Sequence, residues 1–215
     1  MKSFRAALIL LPGLPSLLLC CSDSDSDKTP ASSVRVDAGS DDAPERFVGD
    51  VDDSDVRVAV VTDRQRARLF FCGGMQSVAS ATHWFNVDLD GDEVDAEEQG
   101  FKLHARFADD TVEGEITGPS DGDARSFTLA PVAKGTIGGL YEGKGECGRI
   151  ALIASQSNED AEVEGQGACV GPGRTPEQVN PITPIALQQG GVPVESPGAG
   201  DTVILQPAGL TPLPL

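Results

Sequence analysis

DEVDAEEQGFKLHARFADDTVEGEIT, residues 92–117, decides the fold. Within each run, apolar residues alternate with charged ones. That period of two belongs to a strand with one face buried and the other in water. Folding at Gln99-Gly100 sets Val94 opposite Ala105 and Ala96 opposite Leu103. Folding at 108–111 sets Phe107 opposite Val112 and Leu103 opposite Ile116. The polar face then pairs His104 with Glu115 and Arg106 with Glu113, opposite charges that stabilise across strands. A slip of one residue would turn every apolar set to solvent, so the pattern specifies its own register.

The same test works outward. VRVAVVTDRQRARLFF (56–71) folds at Asp63-Arg64, pairing Val60 with Ala67, Val58 with Leu69 and Val56 with Phe71; Arg57, Arg66 and Arg68 take the other face. HWFNVDLDGDEVDAE (83–97) folds at Asp90-Gly91, pairing Val87 with Val94 and Phe85 with Ala96. GEITGPSDGDARSFTL (114–129) folds at 119–124, pairing Ile116 with Phe127 and Gly114 with Leu129. A last hairpin spans 148–169. No window sustains a 3.6-residue period. The reading is an all-β domain over 55–170, an antiparallel meander closing into a small barrel or sandwich of about eight or nine strands.

The flanks read differently. The chain opens MKSFRAALILLPGLPSLLLCC, with Lys2 and Arg5 ahead of an apolar run that ends at Cys20-Cys21. The run is too short to span a membrane and reads as a secretory signal over 1–20. It resembles a bacterial lipoprotein signal, whose first mature residue is a lipidated cysteine. That resemblance implies Cys21 as the lipidation site, with Leu18 three residues before it, and Cys20 as the alternative. An ordinary secreted protein cut nearby is the other reading. Residues 21–54 are rich in Ser, Asp, Ala and Pro and read as a disordered acidic spacer. Residues 171–215 are crowded with Pro, Gly and Gln and read as a disordered tail, in which only DTVILQ (201–206) has the pattern of a short strand.

The 16 Lys+Arg against 34 Asp+Glu give a net charge of −18. A polyanion needs a basic footprint, so nucleic acid is excluded as a partner, and so is peripheral docking on anionic lipid. Contact with a membrane would come through the lipid anchor. LFFCGG, HWFNV, GFKLHARF and SFTLAPVAKGTIGGLYEG, between Leu69 and Ile153, resemble the motif order of a group of secreted bacterial β-rich domains. The resemblance implies a β fold outside the cytoplasm and brings no activity with it.

NVDLDGDEVDAE (86–97) places Asn86, Asp88, Asp90, Gly91 and Glu97 at the spacing of an EF-hand calcium loop. Position one is Asn, position eight is Glu93, and the flanks alternate like strands. Asp-Gly between alternating runs is a hairpin turn, and the turn is the preferred reading. The alternative is a weak cation site on the acidic face. Of the two histidines, His104 is accounted for by Glu115. Pairing of Cys72 with His83 or His104 is the thinnest of catalytic signals, and no nucleophile elbow, phosphate loop or zinc motif is present. Trp84 and Tyr141 are candidate stacking surfaces, with core packing as the plainer reading.

In CGRIALIASQSNEDAEVEGQGAC (147–169), a turn at 156–160 pairs Ser155 with Ala161, Ile153 with Val163 and Arg149 with Gly167. Cys147 then meets Cys169 at disulfide range. The alternative gives one of those partners to Cys72. The functional reading is a lipid-anchored bacterial envelope protein, extracytoplasmic and non-enzymatic, with no cofactor and an unidentified binding or structural role. A hydrolase acting on cell-wall or extracellular material is the alternative. A filled barrel interior would remove the small-ligand version of the binding reading.

Overall fold

The computed structural model describes residues 43–119, 122–198 and 200–214. The signal, Cys20, Cys21 and most of the acidic spacer lie outside the described residues. The alternating runs become strands: β1 (Glu45–Val51), β2 (Arg57–Thr62), β3 (Arg66–Cys72), β4 (His83–Asp88), β5 (Glu93–Glu98), β6 (Phe101–Phe107), β7 (Val112–Thr117), β8 (Arg125–Pro131), β9 (Gly139–Gly145), β10 (Gly148–Ser155), β11 (Glu164–Val170), β12 (Glu177–Val179), β13 (Val192–Glu195) and β14 (Thr202–Pro207). A short helix, α1 (Val78–Ala81), precedes β4.

The first sheet runs β4-β3-β2-β1-β8-β7-β6-β5, all antiparallel. Its two edge strands are consecutive in the chain and meet at the Asp90–Glu93 bridge. The sheet therefore rolls into a nearly closed barrel. At eight strands the interior is just wide enough for side chains. Phe47, Leu69, Phe71, Phe85, Phe107, Phe127 and Leu129 fill it. Phe71 packs edge-on against Phe85 and Phe127, at 5.9 and 5.6 Å between ring centres. A cavity of about 110 Å³ remains at the end beneath α1.

The second sheet runs β12-β11-β10-β9-β14-β13. A bridge from Pro181 to Val194 brings its ends together, so it curls around Ile150, Leu152, Val179, Val192, Val194 and Leu205. Its other face, with Leu140, Ala151, Ile153 and Ala168, packs on the outside of β2 and β3 against Ala59, Val61, Phe70 and Cys72. Strands β2, β3 and β10 are thus buried on both faces. This is why VAVV, LFF and IALIA are continuous rather than alternating.

Where one face is wet, the sequence register is the observed one. Val94 opposes Ala105, Leu103 opposes Ile116, and His104 and Arg106 oppose Glu115 and Glu113. The turn at Gln99-Gly100 has positive φ at both residues, as a type I′ turn requires. Elsewhere the structure corrects the reading. In β2–β3, Val58 pairs with Phe71 and Val60 with Leu69, two residues from the expected register. The Asp63 carboxylate accepts from the Gln65 and Arg66 amides, 3.0 and 2.8 Å, and moves the turn along the chain. In β7–β8, Gly114 opposes Phe127. A Cβ on Gly114 would stand 2.6 Å from the Phe127 ring, so the ring occupies the missing side chain's place. Strands β4 and β5 form no ladder; they are the two edges of the barrel.

The domain is also wider than 55–170. ERFVGDV, inside the expected spacer, is β1, placed between β2 and β8. The expected disordered tail holds β12, β13 and β14. Its prolines are tolerated because Pro193 lies on an edge strand and Pro207 is the last residue of β14. DTVILQ contributes to β14 as read.

Cys147 and Cys169 are bonded and Cys72 is free. The register around them differs from expectation: Cys169 opposes Ile150, and Cys147 lies between β9 and β10. The bridge therefore ties that turn to β11 across the core of the second sheet. Replacing both cysteines by serine should cost about 3 kcal/mol in the chain-entropy model. The expected readout is a lower denaturant midpoint under non-oxidising handling, with Cys72 unlinked in non-reducing peptide maps. An unchanged midpoint, or a Cys72 cross-link, would contradict the assignment.

Candidate functional site

Cross-strand pairing of β3 with β4 sets Phe70 beside Trp84 and Arg68 beside Asn86 on the barrel's outer surface. The Phe70 and Trp84 ring centres are 4.5 Å apart. Arg68 points away from the barrel core toward β9, where Glu142 receives it bidentately. Nη1 donates to Oε1 at 2.8 Å and Nη2 to Oε2 at 2.9 Å, with the two residues 2% and 5% exposed. Charge-assisted forks of this kind are the geometry Arg favours. Arg68 Nε also donates to Asn86 Oδ1 at 3.2 Å.

Arg149, on β10, reaches the same aromatic ring. The guanidinium carbons of Arg68 and Arg149 lie 4.7 and 5.3 Å from the Trp84 ring centre. The chain after β14 runs over this cluster, held by its carbonyls. Arg46 donates to Ala208, Arg68 to Gly209 and Thr211, and Arg149 to Leu213. Burial holds the Arg149 guanidinium below the ordinary arginine range, with Glu142 opposing that shift and Arg68 adding to it.

Beside this cluster a cleft of about 770 Å³ opens between the barrel edge and the 171–176 loop. His83, Trp84, Asn86, Phe101, Arg149 and Arg174 are among its walls. His83 stacks on Phe101, 4.4 Å between centres, and meets Phe85 edge-on. Burial lowers its pKa, favouring the neutral ring. Its Nε2 is 3.8 Å from Glu98, beyond hydrogen-bonding distance. Three buried nitrogens at this cleft have no hydrogen-bond partner: His83 Nε2, Trp84 Nε1 and Arg149 Nε. Such atoms are rare in folded proteins because each forfeits its hydration.

The structure separates the residues singled out from sequence. Trp84 lines the cleft, half-buried. Tyr141 does not: it is buried in the second sheet, with its hydroxyl donating to the Ile137 carbonyl at 2.8 Å. Asn86, Asp88, Asp90 and Glu97 are exposed, and 90–93 is a tight turn with Gly91 at φ +66°. Asn86 gives its carbonyl oxygen to Arg68, which takes it out of any loop ligand set. Among the described residues no three His, Cys, Asp or Glu side chains converge on a metal-sized point. His104 Nδ1 sits 2.8 Å from Asp95 Oδ1 on the wet face.

Cys72 is fully buried, and burial pushes its thiol up to about 12. Its side chain faces the second sheet, whereas His83 pairs with Phe71 on the opposite face of β3–β4. The two therefore form no dyad. Sequence reasoning missed Arg68, Glu142 and Arg149. The available signal was Arg68 lodged in a run too apolar to have a wet face. No family model matches the chain, and no curated protein or solved structure matches it.

Proposed function

We propose that this chain is an exported, lipid-anchored envelope protein whose β domain is a non-enzymatic binding module, with the cleft beside Trp84 as its binding site. The observation that carries the reading is a concavity walled by Trp84 and bordered by His83 and Arg149, residues that each carry a buried nitrogen without a hydrogen-bond partner. Few, well-placed polar groups in an otherwise apolar concavity are what ligand sites have in common. The filled barrel counts against the small-ligand version of the reading as the sequence framed it, with the ligand in the barrel interior. It does not touch this cleft, which the loop after β11 builds outside the barrel. The Cys147–Cys169 bridge is in keeping with an oxidising compartment. The lipid anchor rests on the Cys20-Cys21 signal and on the acidic stretch that follows it.

Trp84 is the sole tryptophan of the chain, so its emission reports on this site directly. A panel of envelope-derived sugars, sugar acids and short peptides should include members that shift Trp84 emission saturably in the full chain. Silence across the panel would count against the binding reading. In a bacterial host, labelled palmitate should be incorporated and Cys21→Ala should release the protein from the membrane fraction. Equal solubility of wild type and variant, without label, would contradict the anchor.

A further inference from the structure

The charge of the cleft opposes the charge of the chain. The whole sequence carries −18. On Trp84, however, stand two guanidinium groups, and only one of them is paired with a carboxylate. Arg68 takes both oxygens of Glu142. Among the described residues, Arg149 has no carboxylate within ion-pairing distance. Its Nη2 has only the neutral carbonyl of Leu213, its Nε is buried without a partner, and its Nη1 makes no hydrogen bond to the protein. Arg149 is 7% exposed, so this is a buried cation with most of its fork unused. A charge so placed is unfavourable until a counter-charge meets it.

A second cation stands on the same cleft. Arg174 is exposed and pairs with no acid among the described residues. Glu98 is the one carboxylate among the lining residues, at the His83 end. The volume exceeds what an inorganic ion needs. Phe101 and Pro172 supply apolar walls, and the Asn86 and Gln99 amides supply polar groups.

Resting on the binding reading above, we propose that this cleft takes a small organic carboxylate of sugar-acid size, its carboxylate received by Nη1 of the Arg149 guanidinium, the nitrogen that makes no hydrogen bond to the protein. Arg174 adds attraction at the rim, and the Asn86 and Gln99 amides face the ligand's hydroxyls. A charge-assisted hydrogen bond from a buried guanidinium to a carboxylate gives the site its preference.

The test is a titration of the full chain at low ionic strength, followed by Trp84 emission, with glucuronate, glucose and inorganic phosphate as probes. Glucuronate should give a saturable change that weakens with added salt, and glucose should give none. Arg149→Gln should weaken glucuronate by about tenfold or more. Arg174→Gln, at an exposed position, should weaken it less while leaving the thermal midpoint unchanged, which keeps the test decisive if Arg149→Gln folds poorly. Glucose binding as tightly as glucuronate, with no dependence on either arginine, would overturn the anion assignment and leave the binding module standing. Phosphate binding as tightly as glucuronate would overturn the carboxylate preference. No response to any probe would overturn this inference, whereas the binding reading falls only if the wider panel is also silent.

Discussion

The bidentate pair between Arg68 and Glu142 fixes how the two sheets meet. It lies where the outer face of β3 approaches β9, and both partners are withdrawn from water. Removing two charges from water costs several kcal/mol each, and only good geometry with further hydrogen bonds offsets it. Here Arg68 Nε goes to Asn86, and Nη1 also reaches the carbonyls of Gly209 and Thr211. The pair therefore sets three things together: the register of the second sheet on the barrel, the path of the chain after β14, and the position of Trp84 beneath two guanidinium groups. Because Glu142 has both oxygens engaged, Arg149 is left beside the pair without an acid of its own.

The barrel interior is filled by apolar packing except for the small cavity beneath α1. The largest cluster of polar and charged side chains withdrawn from water lies where the second sheet meets the barrel edge. His83 and Trp84 are neighbours on β4, an edge strand, and their side chains leave the sheet on opposite faces. His83 stacks on Phe101 at the barrel mouth, and Trp84 joins the layer between the sheets. The cleft lies between them. An edge strand at a nearly closed seam is thus what joins the barrel end to the inter-sheet layer.

How much of this was legible in the sequence depended on water. Strands β5, β6 and β7 have one wet face, and their pairing followed from alternation alone. Strands β2 and β3 are dry on both faces, so alternation gave the strands but not the register, which the Asp63 carboxylate shifted by capping the turn. Strand β1 was hidden in an acidic stretch, although Phe47 and Val51 both enter the barrel core. Without β1, the β2–β4 and β5–β8 halves have no common neighbour. The proline-rich end concealed β13 because edge strands tolerate proline. The disulfide was read correctly from a register that the structure does not adopt; what survived was the proximity of the turn before β10 to β11. The candidate site was the least legible part. Trp84 could be named, but Arg68, Glu142 and Arg149 come from three strands of two sheets, and no local pattern links them.

The central claim is that the Arg68–Glu142 pair couples the barrel to the second sheet. A double-mutant cycle in denaturant measures that coupling most directly. Arg68→Met and Glu142→Met should each destabilise the protein by about 3–5 kcal/mol, because each leaves a buried charge unpaired. The double variant, in which neither partner of the pair is left facing a vacant position, should lose far less than their sum. Additive losses, or single variants as stable as the parent, would contradict the account.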